Sequence, residues 1–162
     1  MPMPIHMTLK GKTSGDIKGG CTQKGREDSI IIFAFDHDII SPRDIASGLP
    51  TGKRQHKPVK ITKEIDKASP ILYKVLTTNE SLTEVVFKYW KPSVSGKEVQ
   101  YYTIKLSNAN IAAMKTFFPN MLFPENTKLP HLEEVSFTYQ KIEWTFEDGG
   151  ITAEDDWEAP VA

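Results

Sequence analysis

Residues 46–80 read ASGLPTGKRQHKPVKITKEIDKASPILYKVLTTNE. This stretch decides the fold, because a loop, a strand and a helix follow one another in it. Gly48, Pro50 and Gly52 interrupt regular structure and predict a turn-rich loop with basic residues near its end. The loop as a whole extends over about residues 41–56.

The strand and the helix are indicated by two different periods. In the strand segment apolar and polar side chains alternate, and Val59, Ile61 and Ile65 fall on the face expected to be buried. Ser69 is a favourable helix N-cap, and Pro70 suits the first helical position, where a missing N–H costs nothing. The apolar stripe of this helix is formed by Ile71, Leu72, Val75 and Leu76.

Further strand patterns lie on both sides of this stretch. They cover Ile5–Gly11, Ser29–Phe35, Leu82–Lys91, Glu98–Ser107 and Leu132–Phe146. The run Ser29–Phe35 is continuously apolar after its serine, which predicts a strand buried on both faces. Residues 82–91 and 98–107 flank a turn that contains proline and glycine, so they predict a hairpin.

Several other segments are less regular. Residues 108–118 contain alanines and a methionine that favour helix, but they directly continue a strand. Prolines make residues 119–130 an irregular surface loop. In the last strand the apolar residues shift from odd to even numbers near Gln140–Lys141, which predicts a β-bulge. Beyond Gly149–Gly150 the chain reads as an acidic tail over about residues 148–162.

Long strands, one covering helix and many turns predict a mainly β fold. We expect a compact antiparallel β-barrel or sandwich with one flanking α-helix, because closing the sheet removes exposed strand edges. A chain of 162 residues fits a single domain, here residues 1–162, with a sizeable core.

Composition excludes several classes of protein. The net charge of -1 argues against general affinity for nucleic acid, which requires a dominant basic surface. Basic residues are concentrated in the middle of the chain and acidic ones at its end. This distribution suits pairing with another copy of the chain, or simply two solvated faces. Cys21 is the single cysteine, so it cannot form an internal disulfide.

The N-terminal residues lack a basic segment followed by an apolar run, which a secretory signal would contain. No segment approaches the ~20 apolar residues of a membrane span, so direct membrane insertion is not expected. We therefore expect the protein to fold in the cytoplasm, and any export to proceed without a cleaved signal peptide.

We find no motif that indicates catalysis, a cofactor or a metal. Gly48–Arg54 imitates a phosphate-binding loop, but its glycine spacing is short and a strand follows instead of a helix. His37 points away from Asp36 and Asp38 on a strand, so these three side chains do not converge on a metal. The aromatic residues alternate within strands, which favours core packing over a surface for bases or sugars.

The central stretch resembles the Hcp family, the haemolysin-coregulated proteins of bacterial type VI secretion systems. Members tend to carry the pattern TGxRxHxPxxxTKxIDxxSPxLYKA, which is matched here by Thr51–His56, Thr62–Asp66 and Ser69–Lys74. Further similar segments extend over almost the whole chain. They are Gly15–Gly19, Tyr101–Leu106, Leu132–Glu133, Tyr139–Thr145 and Asp155–Trp157.

The resemblance implies a phage tail-tube-like β-barrel flanked by one helix, with strand for residues 108–118. It implies a structural rather than an enzymatic role. Six copies would close into a ring, and rings would stack into a tube that a contractile sheath drives out of the cell. The implied partners are a VgrG-type spike protein, the sheath and effector proteins carried in the channel.

The resemblance also implies where copies meet. The family's extended loop reaches a neighbouring subunit or ring, and it corresponds to the loop at about residues 41–56. The implied subunit or ring interface comprises Ser41, Pro42, Asp44, Gly48, Thr51, Gly52, Lys53, Arg54, Gln55 and His56.

A second interpretation stays open from the residues alone. A monomeric β-barrel could use its aromatic side chains and basic loop to bind nucleic acid or a glycan, with binding that weakens steeply as salt rises. The tube interpretation instead predicts rings of six copies and no catalytic turnover. The native mass therefore separates the two.

Overall fold

A computed structural model describes residues 3–158 of the chain. In chain order the strands are β1 (Ile5–Gly11), β2 (Gly15–Ile17), β3 (Ile30–Asp36), β4 (Ile39–Ile40), β5 (Gln55–His56), β6 (Val59–Glu64), β7 (Leu82–Pro92), β8 (Glu98–Phe117), β9 (Leu132–Phe146) and β10 (Ile151–Asp156). Within the described residues there is one α-helix, α1 (Ser69–Thr77), and one 3-10 turn, Pro124–Asn126.

Six strands close into an antiparallel barrel. Their hydrogen-bonded order is β9–β6–β3–β1–β7–β8, and β8 pairs with β9 to complete the circle. β9 contacts β8 along one edge, and along its other edge it pairs first with β6 and then with β10. The prediction of a mainly β barrel with one flanking helix is therefore confirmed.

The barrel interior is apolar. Alternate residues of the strands point inwards, so that Met7, Phe87 and Leu106 are fully buried. The helix α1 packs Leu72 and Val75 onto the same core. Because each large apolar side chain contributes about 1.5–3 kcal/mol when it is fully buried, this core supplies most of the stabilisation.

The structure decides between the two conformations that the sequence allows for residues 108–118. Residues 108–117 continue β8, which thereby reaches 20 residues and pairs with both β7 and β9. Residues 118–131 form the irregular loop predicted from the prolines, apart from the 3-10 turn. The predicted hairpin of β7 and β8 is confirmed as well.

Strand β3 is buried on one face only, not on both faces as its apolar run predicts. Ile30 and Ile32 lie in the core, whereas Ile31 and Phe33 are exposed on the outer face. A continuously apolar strand is typical of a sheet covered on both sides. Here the barrel covers the inner side, and the outer face is an apolar surface that the described residues of this chain leave open.

Strand β6 places a lysine in the core. The inward positions of the strand are Val59, Ile61 and Lys63, and the lysine side chain is fully buried. Ile65, which the sequence predicts to be buried, lies beyond the strand end at Glu64 and is exposed. A buried ammonium group requires partners close by, because an unpaired charge in the core is costly.

Those partners form a cluster beneath α1, consisting of Lys63, Asp66, Ser69 and Glu133. Lys63 Nζ forms an ion pair with Glu133 and lies 3.1 Å from Asp66 Oδ1 and 3.2 Å from Ser69 Oγ. Ser69 Oγ donates to Glu133 Oε1 at 2.6 Å. Ser69 is therefore not the N-cap that the sequence predicts. Ala68 occupies that position without a side-chain cap, and Ser69 turns inwards.

The β-bulge predicted near Gln140–Lys141 is not in β9. Buried residues do shift from odd to even numbers there, but the β8–β9 register is the same on both sides. The register changes instead between Ile111 and Ala113 of β8. Asn108 of β8 has a φ of 51° and donates from Nδ2 to Gln140 Oε1 at 2.9 Å, so the irregular backbone at this point lies in the partner strand.

The acidic tail predicted for about residues 148–162 begins with a strand. β10 pairs with the end of β9, and the chain turns back at Gly149–Gly150. Lys141 Nζ lies 2.9 Å from Glu154 Oε2 across this pair, so a cross-strand contact compensates part of the acidic charge. Residues 159–162 of the predicted tail lie outside the described residues.

Candidate functional site: the arm and its polar relay

The predicted loop is a two-stranded ribbon, and we call residues 41–56 the arm. At its base β5 pairs with β4, which directly precedes the arm, so that Ile39 lies opposite His56, and an isolated bridge joins Arg43 to Pro50 further out. The ribbon continues the pairing of β3 with β6, because the Lys57 backbone N–H donates to the Asp38 carbonyl oxygen at 3.0 Å between the two strand pairs.

Local hydrogen bonds shape the tip of the arm. Asp44 Oδ2 accepts from the Ser47 hydroxyl at 2.6 Å and from the Ser47 backbone N–H at 2.9 Å, and these bonds lower the pKa of Asp44. Gly48 has a φ of 72°, a conformation that favours glycine. Ile45 and Leu49 are exposed on this turn. The tip is therefore an ordered turn that presents two apolar side chains.

The base of the arm is joined to the barrel by five hydrogen-bonded side chains, which we call the relay: His37, Arg54, His56, Tyr139 and Asp155. Arg54 Nε and His56 Nε2 each lie 2.6 Å from Asp155 Oδ2. The Tyr139 hydroxyl oxygen lies 2.7 Å from His56 Nδ1 and 2.8 Å from His37 Nε2. The relay thus connects the segment after β3, the arm, β9 and β10.

Hydrogen bonds and burial set the ionisation of the relay. The hydrogen bond from Arg54 is the largest cause that lowers the pKa of Asp155, so this carboxylate is ionised at neutral pH. Burial lowers the pKa of His37 from its ordinary 6.5, and the neighbouring His56 lowers it further. Burial raises the pKa of Tyr139, so the phenol keeps its proton.

The basic arm is paired with the acidic end of the same chain. Besides its contact with Asp155, Arg54 donates from Nη2 to the Asp156 carbonyl oxygen at 2.9 Å, and the Trp157 ring lies 5.6 Å from that of His56. A charge reversal at Arg54 would therefore break contacts within one chain. The exposed Lys53 is the better probe of a contact with another copy.

A third histidine, His6, contributes to a separate polar group, which we call the Arg26 set. Arg26 stacks on Trp90, 3.7 Å from the ring centroid, and its Nη2 lies 2.5 Å from Glu98 Oε2. His6 places Nε2 3.4 Å from Arg26 Nη1 and Nδ1 2.9 Å from Ser29 Oγ. Burial and the Arg26 charge lower the pKa of His6.

Two apolar surfaces are exposed outside the arm. On the outer face of β3, Ile31 and Phe33 line a shallow depression together with Glu64 and Asp66. The loop between β8 and β9 exposes a second group, Met121, Leu122 and Phe123. Contiguous apolar surface of this kind commonly marks a contact with another protein.

The other residues that the sequence singles out as candidate ligands or binding surfaces make contacts within the fold. His37 bonds to Tyr139, and within residues 3–158 no group of three or more His, Cys, Asp or Glu side chains is arranged to hold a metal ion. Phe87 and Phe137 are core residues rather than a binding surface. No helix in this part of the chain is long and apolar enough to cross a membrane.

The chain is similar to known proteins over the whole barrel. The family model described as "Type VI secretion system effector, Hcp" matches residues 6–146, from β1 to the end of β9. The chain belongs to the Hcp family. This Hcp chain is 43% identical to the "Major exported protein" of Pseudomonas aeruginosa over 171 aligned positions, which cover 100% of this chain and 99% of that protein.

Solved Hcp structures are similar over nearly their whole length. A double variant of Hcp1 from E. coli EAEC 042 is 38% identical with a TM-score of 0.85, and the alignment covers 96% of this chain and 99% of that one. The secreted protein Hcp3 from Pseudomonas aeruginosa is 35% identical with a TM-score of 0.79, at 98% and 100% coverage. The resemblance found in the sequence is therefore confirmed.

In this Hcp chain the residues predicted to form an interface divide into two groups. Those from Ser41 to Lys53, and Gln55, form the ribbon and its tip, whereas Arg54 and His56 belong to the relay. Their role between copies stays a prediction. The partners of Arg54 and His56 could not be found from the sequence, because they lie 83 to 102 residues away along the chain and their pairing has no local signal.

Proposed function

We propose that this Hcp chain is the tube subunit of a type VI secretion system. Six copies close into a ring, and rings stack into a tube that a contractile sheath drives outwards together with a VgrG-type spike. The tube carries effector proteins in its channel and leaves the cell without a cleaved signal peptide. Membership of the family supports this proposal, and the name of the exported relative supports export.

The exposed apolar outer face of β3 is the observation that supports self-assembly. Phe33 is 51% exposed, although it lies in a strand whose every residue from 30 to 35 is apolar. A strand of this composition is typical of a sheet with cover on both sides. A second copy of the chain supplies that cover in a ring.

The loop between β8 and β9 offers a second apolar surface. Leu122 is 84% exposed, with Met121 and Phe123 beside it. Two different apolar surfaces on one chain suit a head-to-tail contact, in which one surface of each copy meets the other surface of the next. Such a contact closes into a ring when the rotation between copies divides a full turn.

Native mass measured by light scattering, with imaging of the same sample, tests the proposal. We expect open rings of six copies for the wild-type chain. Phe33→Asp should lower the ring fraction at least about tenfold, because burying an unpaired carboxylate at an interface costs several kcal/mol. Val94→Asp is the matched control, since Val94 is fully exposed in the turn between β7 and β8, and this variant should still form rings.

Two outcomes would contradict parts of the proposal. Rings of unchanged stability in Phe33→Asp would remove the outer face of β3 from the interface. A wild-type chain that stays monomeric at high concentration would overturn the tube subunit. The alternative, a binding module for nucleic acid or glycan, would then be tested by the salt dependence of binding.

A further inference from the structure

The turn between β9 and β10 contains the only Asp–Gly dipeptide of the sequence, Asp148–Gly149. Residues 147–150 form this turn, and all four are exposed. The Gly150 backbone N–H donates to the Glu147 carbonyl oxygen at 3.3 Å. Gly149 and Gly150 have φ angles of 86° and 62°, in the region that favours glycine. The turn is therefore held by glycine conformations and one hydrogen bond rather than by packing.

The two groups that face each other across this dipeptide are unengaged. No residue in the described range 3–158 forms a hydrogen bond or an ion pair with the Asp148 carboxyl group. The backbone N–H of Gly149 likewise finds no acceptor among the described residues, since the turn bond comes from Gly150. A Cβ atom built on Gly149 would have Ile151 Cγ1 as its nearest contact, at 3.9 Å. The carboxyl carbon and the backbone nitrogen therefore have room to approach each other.

A carboxyl group next to a glycine N–H can close a five-membered imide ring. The Gly149 nitrogen attacks Asp148 Cγ, and the nitrogen's proton and the carboxyl hydroxyl leave together as one water, so a C–N bond replaces a C–O bond. Glycine allows this approach because it has no Cβ to obstruct it. Water then opens the ring at either carbonyl. Opening at Cγ restores aspartate, and opening at the main-chain carbonyl carbon gives isoaspartate. The two steps consume no oxidant and no reactant besides water.

Asp28–Ser29 offers the same reacting atoms in a closed environment. The Asp28 carboxylate lies 3.8 Å from Lys18 Nζ and 3.2 Å from Lys67 Nζ. The Ser29 backbone N–H donates to the Arg26 carbonyl oxygen at 3.2 Å, and Ser29 is 3% exposed. Ring closure here requires these contacts to open first. The fold therefore protects this dipeptide and leaves the one in the β9–β10 turn unprotected.

We propose that Asp148–Gly149 is a site of spontaneous isomerisation, at which the folded chain converts Asp148 to isoaspartate through the imide. The reaction needs only the chain and water, so it proceeds with the age of the protein. Its product carries the main chain through the former side chain, which lengthens the turn by one methylene group. The site is a property of the single chain and is independent of the proposed function.

The longer turn acts on β10, because β9 is the only strand of the described chain that pairs with it. Ile151 lies opposite Phe146 directly beside the turn, so its pairing depends most on the turn geometry. At the far end of β10, Asp155 accepts from Arg54 Nε at 2.6 Å. In the isoaspartate form we therefore expect faster hydrogen exchange in β10, with the largest change next to the turn.

Peptide mass spectrometry of the purified full chain, kept for weeks at pH 5.5 either folded or in urea, tests the site. Mild acid is chosen because a protonated carboxyl group loses its hydroxyl as water, and electron-based fragmentation distinguishes isoaspartate from aspartate. We expect urea to accelerate the reaction at Asp148 by less than about tenfold, since the folded turn already exposes both groups. At Asp28 the acceleration should exceed about tenfold, because opening of the folded chain adds to the barrier there.

Two variants test the ring itself. Asp148→Glu keeps an exposed carboxylate but would need a six-membered ring, so it is the matched control and should form no isomer. Asp148→Asn closes the same five-membered ring with ammonia as the leaving group. This variant should therefore convert faster than the wild type at pH 7.5, and the conversion replaces its amide by a carboxyl group.

Three outcomes would contradict the proposal or its consequence. Isoaspartate at position 148 in urea but not in the folded chain would overturn the site, because the turn would then prevent ring closure. A folded Asp148→Asn chain that keeps its amide, while the same chain in urea loses it, would lead to the same conclusion. Equal hydrogen exchange of residues 151–156 in the separated aspartate and isoaspartate forms would overturn the effect on β10.

Discussion

The cluster beneath α1 and the relay perform the same structural task with different chemistry. Each fastens an element outside the barrel to β9, the helix through Glu133 and the arm through Tyr139. The cluster contains no histidine, and its Lys63 and Glu133 are 0% and 1% exposed. The relay contains two histidines, the residue type whose ordinary pKa lies between about 5 and 8. Acidification towards pH 5.5 should therefore act on the relay, through His37, rather than on the cluster.

The largest effect is expected from Glu133→Ala. The change leaves the Lys63 ammonium in the core without its buried carboxylate, which lowers the free energy of unfolding by about 3–5 kcal/mol. Urea unfolding at pH 7.5 measures the loss. Glu134→Ala, a partly exposed neighbour on β9, is the matched control and should change the free energy by less than about 0.5 kcal/mol.

A double variant identifies the cause of that loss. Lys63→Met combined with Glu133→Leu removes both charges and keeps similar volume, so it should recover most of the stability. If the double variant is as unstable as Glu133→Ala, the loss comes from packing rather than from the unpaired ammonium. The contrast between the cluster and the relay would then no longer rest on charge.

A smaller effect is expected from acidification. Burial lowers the pKa of His37 and of His6 below their ordinary 6.5, so the unfolded chain takes up these protons first as the pH falls. Their stabilisation is complete above pH 6.5 and decreases towards pH 5.5. One proton contributes at most about 1.4 kcal/mol per pH unit, and solvent screening reduces this further. Urea unfolding at pH 7.5 and pH 5.5 measures the decrease.

Single variants divide this acid response between the two histidine-containing groups. His37→Gln should remove the part of the pH-dependent loss of stability that comes from the relay, and His6→Gln the part that comes from the Arg26 set. Glu133→Ala should show the same pH-dependent loss as the wild type. The lowered pKa of Asp155 acts in a separate range, because its stabilisation is present above its ordinary 3.8 and is lost only below it. If the loss of stability on acidification disappears in Glu133→Ala but persists in both histidine variants, the pH-dependent attachment is the cluster and not the relay or the Arg26 set.

The smallest effect is expected from Lys141→Gln. Lys141 and Glu154 form an ion pair on the surface of the β9–β10 hairpin, 2.9 Å apart. Exposed ion pairs contribute little, since water and salt screen them and two flexible side chains must be held in place. The midpoint of urea unfolding should therefore stay within experimental error. A clear shift of this midpoint would show that the loss of an exposed charge on β9 also destabilises the fold, as the loss of a buried charge does.

The barrel strands and the helix could be predicted because they depend on local periodicity. Alternation in residues 5–11 and 98–107 indicates one apolar face, and Pro70 marks the start of α1. β10 could not be predicted in this way, since acidic residues obscure its alternation. Nor could the burial of Lys63, because its partner Glu133 lies 70 residues further along the chain.

Only the arm residues of the candidate site could be predicted from the sequence. The resemblance to Hcp proteins singles out Arg54 and His56, but it assigns them to a contact between copies. Their contact with Asp155 depends on the hairpin that brings β10 beside the arm, and no periodicity of the sequence encodes that approach. Hydrogen-bond partners of this kind are a product of tertiary structure.

Strand β9 joins both edges of what is otherwise an open sheet. The strands β6–β3–β1–β7–β8 all precede it in the chain and can pair without it. During synthesis the edges of β6 and β8 therefore stay unpaired until residues 132–146 have left the ribosome. Since open edges invite association and non-local pairing is slow, the nascent chain is most prone to aggregate just before its closing strand emerges.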